Sequence, residues 1–152
     1  MKKFTIESQS EIDEIIRKAK VCTLSMTDGE TPYAVPMNFG YRDGVIYLHS
    51  APTGKKFDVL EKINQVCISF YVDEAMNIRH EKVACSYSMK FRSVLAFGKL
   101  EDITDFDDKV KGMNEIMLQY TGKTFDYNAP AIKGVRVMKV NVEKFTAFNR
   151  GY

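Results

Sequence analysis

The sequence predicts a mainly β protein: about six strands in antiparallel hairpins, closed into a small barrel, with two to three flanking helices. Three observations predict it. From Val21 onward apolar residues recur every second position over most of the chain, the period of a half-buried strand. The alternating runs are punctuated by turn-forming clusters such as Thr27-Asp28-Gly29-Glu30 and Arg42-Asp43-Gly44. A twisted sheet of this many strands tends to curl and close, which removes its unpaired edges. At 152 residues, 45% hydrophobic and 28% charged, the chain is sized for one globular domain, spanning 1–152.

The elements follow in order. Ser8 with Glu11 three residues on has capping-box spacing, and Ile12, Ile15, Ile16 and Ala19 then form one apolar stripe, so the first helix starts here. VCTLSM is a short strand, and PYAVPMNFGY a longer one. The Arg42-Asp43-Gly44 turn leads into VIYLHS as the returning strand. Residues 55–64 read as a short helix with Phe57, Leu60 and Ile63 inward, followed by the strand QVCISFYVD. Residues 74–87 lack a pattern and read as a loop. SMKFRSVLAFGKLEDI is a long strand whose Gly98 suggests a bulge or close contact, with Phe91, Leu95 and Phe97 as core. Thr104 with Asp107 opens a third helix, acidic in its first turn, with Val110, Met113, Met117 and Tyr120 inward and Gly122 as its cap. After a turn at Asn128-Ala129-Pro130, VRVMKVNVEKFTAF is the last strand.

The totals exclude several functions. Twenty-two Lys and Arg against 20 Asp and Glu give a net charge of +2, far from the basic excess of a nucleic-acid binder. The many Tyr and Phe on strands leave open a barrel that stacks single-stranded nucleic acid, a class the near-neutral charge argues against. No apolar run approaches the roughly 20 residues that cross a bilayer. MKKFTIESQSEIDE turns acidic where a signal peptide needs an apolar stretch. Cys22, Cys67 and Cys85 are odd in number and widely spaced, which suits free thiols in a reducing compartment. The expectation is a cytoplasmic protein with no membrane or nucleic-acid partner. His49 and His80 are the only histidines and no ligand spacing accompanies them, so no metal site is expected.

Three segments could carry chemistry. In PYAVPMNFGY one face holds Tyr33, Val35, Met37, Phe39 and Tyr41, and the other Ala34, Pro36, Asn38 and Gly40. The small side either lies under the first helix or faces water, or leaves room for a flat ligand against the backbone. Pro36 belongs at an edge or bulge, because it cannot donate to a ladder. In His49-Ser50-Ala51-Pro52-Thr53-Gly54-Lys55-Lys56 a strand ends, a glycine loop follows and a helix opens with two lysines. Cations are disfavoured at that end unless an anion is bound there, so a phosphate site competes with two merely solvated lysines. In Lys90-Phe91-Arg92-Ser93-Val94 an Arg fork or a hydroxyl could complete an anion site, or Lys90 and Arg92 could form a wet strand face.

Taken together, PYAVPMNFGY, GVIYLHSAPTGKKFDVL, NQVCISFYVD and FRSVLAFGKLEDI resemble, in order and spacing, the pyridoxamine 5′-phosphate oxidase-like FMN-binding split-barrel family, in its nitroimidazole-resistance-like branch. The most specific elements are H-S-A-x-x-G-x-K and the following R-S-V-x-x-F-G. The resemblance implies a six-stranded split barrel forming a homodimer, with FMN at the subunit interface. It implies that Val35, Pro36, Met37 and Asn38 lie along the flavin ring, and that His49, Ser50 and Ala51 line the ring and ribityl chain. It gives the phosphate to Gly54, Lys55 and Lys56, helped by Arg92 and Ser93. Reduction of a nitro group or similar acceptor also needs a proton source, for which His49 and Tyr41 are the candidates. The implied activity is an FMN-dependent oxidoreductase of a small oxidised substrate such as a nitro compound. The alternative is a non-catalytic flavin-binding or redox-sensing module. The ending Phe148-Asn149-Arg150-Gly151-Tyr152 lacks the longer basic tail of pyridoxamine phosphate oxidases, which argues against vitamin B6 chemistry.

Overall fold

Alternation along the strands decides what lies inside. In the computed structural model, which describes residues 3–152, Cys22, Leu24 and Met26 of one strand face the same interior as Val66, Ile68, Phe70 and Val72 of its neighbour. Met1 and Lys2, the start of the stretch read above as unlike a signal peptide, lie outside the described residues. The elements are β1 (Lys3–Ile6), α1 (Gln9–Lys18), β2 (Cys22–Thr27), β3 (Pro32–Met37), β4 (Phe39–Arg42), β5 (Val45–Ser50), α2 (Lys55–Leu60), β6 (Gln65–Ile78), β7 (Tyr87–Ile103), α3 (Phe106–Thr121), α4 (Ala129–Lys133) and β8 (Arg136–Arg150). A single 3₁₀ turn, Ala84–Ser86, precedes β7.

The sheet is antiparallel, in the order β3-β2-β6-β7-β8-β5-β4, with β1 added to the end of β8. Its two edge strands, β3 and β4, are consecutive in sequence and separated by Asn38 alone. The sheet therefore curls until its own chain joins the edges, without a ladder to seal them. This is a split barrel, of eight strands rather than six. The extra two are β1, which buries Ile6, and the division of the PYAVPMNFGY run at Asn38. Pro36 sits on the edge strand, as its missing donor requires.

The interior holds Leu24, Phe39, Ile46, Leu48, Ile68, Phe70, Val94, Met138 and Val140, all fully buried. Ser8 caps α1, and Ile12, Ile15 and Ile16 plug one end of the barrel. At the β4–β5 turn Asp43 and Gly44 both take positive φ, as the tight two-residue hairpin needs. At Gly98 the β7–β8 register shifts and the Asn141 carbonyl comes close to the backbone.

Several expectations need correction. Phe91, Leu95 and Phe97 are not core: Val94 and Ala96 take the interior side of β7, and the three large residues are half-buried on the outer face of the sheet. Helix α3 is capped by Asp105, not Thr104, its carboxylate accepting the Asp108 N–H at 3.1 Å. Its deepest face is Gly112, Glu115 and Ile116 rather than the Val110–Met113–Met117–Tyr120 stripe. The cause is Gly40 of β4. A Cβ there would stand 2.4 Å from the Glu115 carbonyl carbon, so the bare strand draws this part of the helix backbone inward. Thus the small side of the PYAVPMNFGY run has two explanations: Gly40 lies under the third helix, not the first, while Ala34, Pro36 and Asn38 are exposed. Helix α2 ends at Leu60, because Asn64 is already bonded to the Leu100 backbone, and Val59 rather than Ile63 completes its inner face. The unpatterned 74–87 stretch is largely the end of a long hairpin. β6 runs to Ile78 and β7 starts at Tyr87, and the arm stands clear of the barrel with Met76, Ile78, Tyr87 and Met89 exposed. Asn128 caps the short α4 where a simple turn was expected.

Candidate functional site

The split in the barrel is where the chain makes a cleft. The last β4–β5 pair is Phe39↔Leu48, so His49 and Ser50 continue beside β8 only, opposite Val137 and Arg136. Beyond Asn38 the chain leaves for β3, which pairs with β2 alone. Between these parted edges lies a hollow of about 400 Å³. One wall is Tyr33, Val35, Pro36, Met37 and Asn38; the other is His49, Ser50, Gly54, Lys55 and Lys56. Nine of the sequence-predicted residues meet here.

Their chemistry is uneven. The His49 ring is half-buried, and its Nδ1 is buried with no hydrogen-bond partner among the described residues. Burial holds its pKa below the usual histidine value, so the imidazole is neutral at pH 7. The Ser50 hydroxyl donates to the Ala51 carbonyl at 2.8 Å. Ala51 itself is exposed just outside the hollow. Lys55 Nζ lies 5.3 Å from the centre of the Tyr33 ring, and Lys56 Nζ 4.9 Å from that of Phe57. Neither lysine pairs with a carboxylate among the described residues, whereas Lys18, Lys62, Arg42, Arg92 and Arg136 all do. Helix α2 has only six residues, so the positive charge of this wall resides in the two ammonium groups more than in a helix dipole.

The remaining predicted residues lie elsewhere in the chain. Tyr41 is buried near the first helix, its phenol donating to Asp13 at 2.6 Å; desolvation and that carboxylate push its pKa up. Arg92 lines a separate polar hollow with Lys18, Glu11 and Glu14, donating to Asp73 at 2.7 Å and stacking 4.8 Å from the Tyr152 ring centre. Lys18 bonds the same carboxylate. Ser93 is on the outer face of β7, opposite Tyr71 and Phe148. The sequence reading missed two neighbours of the cleft. Tyr33 was counted with the large side of its strand, and its shared parity with Val35 and Met37 was the available signal. Arg136, opposite Ser50 and 3.7 Å from the Phe57 ring centre, could be placed only once the β5–β8 register was known. Among the described residues no group of three or more His, Cys, Asp or Glu could hold a metal ion, and no helix is long and apolar enough to cross a membrane. All three cysteines are free. Cys22 is buried against the Met37 carbonyl, and burial pushes its thiol up to about 12.

The sequence model of the pyridoxamine 5′-phosphate oxidase family matches residues 8–148. The chain belongs to this family. A solved structure of a candidate 5-nitroimidazole antibiotic resistance protein from Bacteroides thetaiotaomicron is 39% identical, with a TM-score of 0.85 over 97% of this chain and 87% of that one. This places the chain in the nitroimidazole-resistance-like branch of the family. Two more distant structures share the fold. The flavocytochrome Anf3 of Azotobacter vinelandii has 18% identity and a TM-score of 0.81, covering 97% of this chain and 70% of that one. An FAD binding protein of Mycobacterium smegmatis has 15% identity and a TM-score of 0.69, covering 97% and 100%. No curated protein matches the chain.

Proposed function

We propose that the cleft between β3 and the β5–α2 loop binds FMN and that the protein is an FMN-dependent oxidoreductase of a small oxidised substrate, with a nitro compound as the leading class. The observation that carries this reading is the convergence, in one hollow, of two lysines without a carboxylate and an imidazole with a buried nitrogen that has no hydrogen-bond partner, both among the described residues. A phosphate monoester is a natural partner for the lysines. A planar heterocycle with donors and acceptors on its rim is a natural partner for the imidazole. FMN, when bound, supplies hydride and electron transfer, and the protein supplies binding, orientation and electrostatics. Pro36, Met37 and Asn38 would flank the ring, His49 and Ser50 would hold its polar edge, and Gly54, Lys55 and Lys56 would hold the phosphate.

His49 is the one proton carrier of the original pair that this cleft offers, since Tyr41 is engaged with Asp13. A neutral imidazole donates one hydrogen bond and accepts another, so His49 would position an acceptor and pass a proton through that bond. The relative 39% identical to this chain bears 5-nitroimidazole resistance in its description, which supports the nitro class.

The reading includes a homodimer. The outer face of β6 and β7 carries Tyr71, Phe91, Leu95 and Phe97, an apolar surface a lone barrel would leave in water. In a dimer Arg92 and Ser93, remote from their own cleft, would serve that of the partner. The test is direct. Purified protein should carry flavin absorbance and, with a reduced nicotinamide, should reduce a nitroimidazole faster than free FMN does. Protein that stays colourless after addition of FMN refutes the cofactor. Flavin-loaded protein with no turnover above free FMN refutes the enzyme and leaves a flavin-binding module.

A further inference from the structure

The residues of the strand wall run in order along the cleft. Asn38 stands at one end and Tyr33 at the other, roughly 17 Å apart at the rise of an extended strand. That length suits a tricyclic ring and a five-carbon chain laid end to end. At the Tyr33 end the two walls touch. Tyr33 belongs to β3 and Lys55 to the first turn of α2, and the ammonium sits 5.3 Å from the ring centre, a cation–π contact that spans the cleft. Behind it Lys56 Nζ curls back to within 3.9 Å of where a Cβ on Gly54 would stand. Tyr33 is half-buried and packs against the core, so its ring cannot swing aside without losing that packing. Lys55 is exposed by comparison.

We propose that Tyr33 and Lys55 set the length of the cofactor, admitting a flavin that ends in a phosphate monoester and turning away one extended by a pyrophosphate and adenosine. The inference rests on the flavin reading above. Two arguments carry it. The first is charge: a phosphate monoester carries nearly two negative charges at pH 7, which two lysines without carboxylate partners among the described residues match. The phosphate nearest the ribityl chain in a dinucleotide carries one. The second is space. A dinucleotide must leave the cleft past its phosphate end, and there the ring and the ammonium are already in contact. The barrel alone does not make this choice, because a protein of the same fold is named for binding FAD. Side chains at the mouth must do so.

The test uses flavin-stripped protein titrated with FMN and with FAD, following quenching of flavin fluorescence. The wild type should prefer FMN by about tenfold or more, a discrimination within reach of a single shaped contact. Tyr33→Ala should narrow the ratio to about threefold or less, chiefly by tightening FAD, while Tyr33→Phe, which keeps the ring, should retain it. Because Tyr33 packs on the core, the exposed Lys55→Ala serves as the second variant. It should weaken FMN and narrow the same ratio. Equal affinity of the wild type for both flavins overturns the proposal, and so does an unchanged ratio in Lys55→Ala or in folded Tyr33→Ala. Failure of the wild type to bind either flavin overturns the flavin site itself, a different result from flavin binding without discrimination.

Discussion

Replacing Lys56 by alanine should weaken FMN binding without disturbing the barrel. Lys56 has no carboxylate partner among the described residues, so its removal strands no buried charge. What the free protein loses is one cation–π contact to Phe57, worth about 0.5–1 kcal/mol at a partly exposed site. The Arg136 guanidinium, 3.7 Å from the same ring centre, keeps that ring covered. What the complex loses is a charge-assisted hydrogen bond to phosphate, about 1–3 kcal/mol for a site open to water on one side. At 1.4 kcal/mol per decade this is roughly a 5- to 150-fold rise in Kd. Isothermal titration with FMN measures it, and riboflavin, which lacks the phosphate, is the internal control. Affinity for riboflavin should not change, and Lys56→Arg should restore most of the affinity for FMN. The paired Lys62, bonded to Asp28 outside the cleft, gives a charge-matched control that should leave both ligands unaffected. Unchanged FMN affinity in Lys56→Ala, or an equal loss for riboflavin, would falsify the placement of the phosphate.

Three further outcomes are expected. Leu95→Asp should yield a folded monomer by analytical ultracentrifugation, since Leu95 faces outward from β7; unfolding would return it to the core, and a persistent dimer would move the interface elsewhere. Gly40→Ala should destabilise the fold by about 1–3 kcal/mol, because the new methyl meets backbone atoms of Glu115 and Ile116 at 2.4–2.7 Å that cannot rotate away. Melting should fall by roughly 3–10 °C for a chain of this size, and an unchanged Tm would show that α3 can back off freely. His49 has a lowered pKa in the fold, so below its unfolded value of about 6.5 the unfolded chain takes up the proton first. The stability present above pH 6.5 should therefore drain away as pH falls through that value toward the folded pKa. Urea midpoints between pH 7.5 and 5 should drop less in His49→Gln than in the wild type, and parallel curves would remove His49 as a buried neutral group.

The parts of the fold that could be read from sequence were those where one local rule acts without competition. Ser8 and Gly122 cap helices because their chemistry satisfies end groups, and Asp43-Gly44 turns because positive φ is cheap there. Alternation located the strands but not always which face was inward. On β7 the rule that large residues are core chose Phe91, Leu95 and Phe97, whereas the narrow barrel interior takes Val94 and Ala96. An aromatic outer face, half-buried on the sheet, alternates just as a core face does. Helix α3 failed for a related reason, since its buried face follows the bare backbone of Gly40, some 75 residues earlier in the chain.

The candidate site shows the same division. Its cleft residues come from two stretches, 33–38 and 49–56, each contiguous in sequence: local pattern singled out Pro36, Asn38 and the 49–56 segment, whereas Val35 and Met37 came with the family resemblance. Arg92, Ser93 and Tyr41 came from reasoning about which side chains could serve an anion or a proton, without knowing where the sheet would carry them. Asp73 explains the first of these. It takes positive φ at the β6 irregularity, turns its carboxylate toward both Lys18 and Arg92, and neutralises a guanidinium that charge counting alone had marked as available. Its pKa is held below the usual carboxylate range by those two cations, so the neutralisation persists at pH 7. Lys55 and Lys56 lack such a carboxylate among the described residues and line the cleft itself, which is the reason for giving them, within one chain, the anion proposed above. A cation that already has its carboxylate gains less from a phosphate than one whose only partner is an aromatic ring.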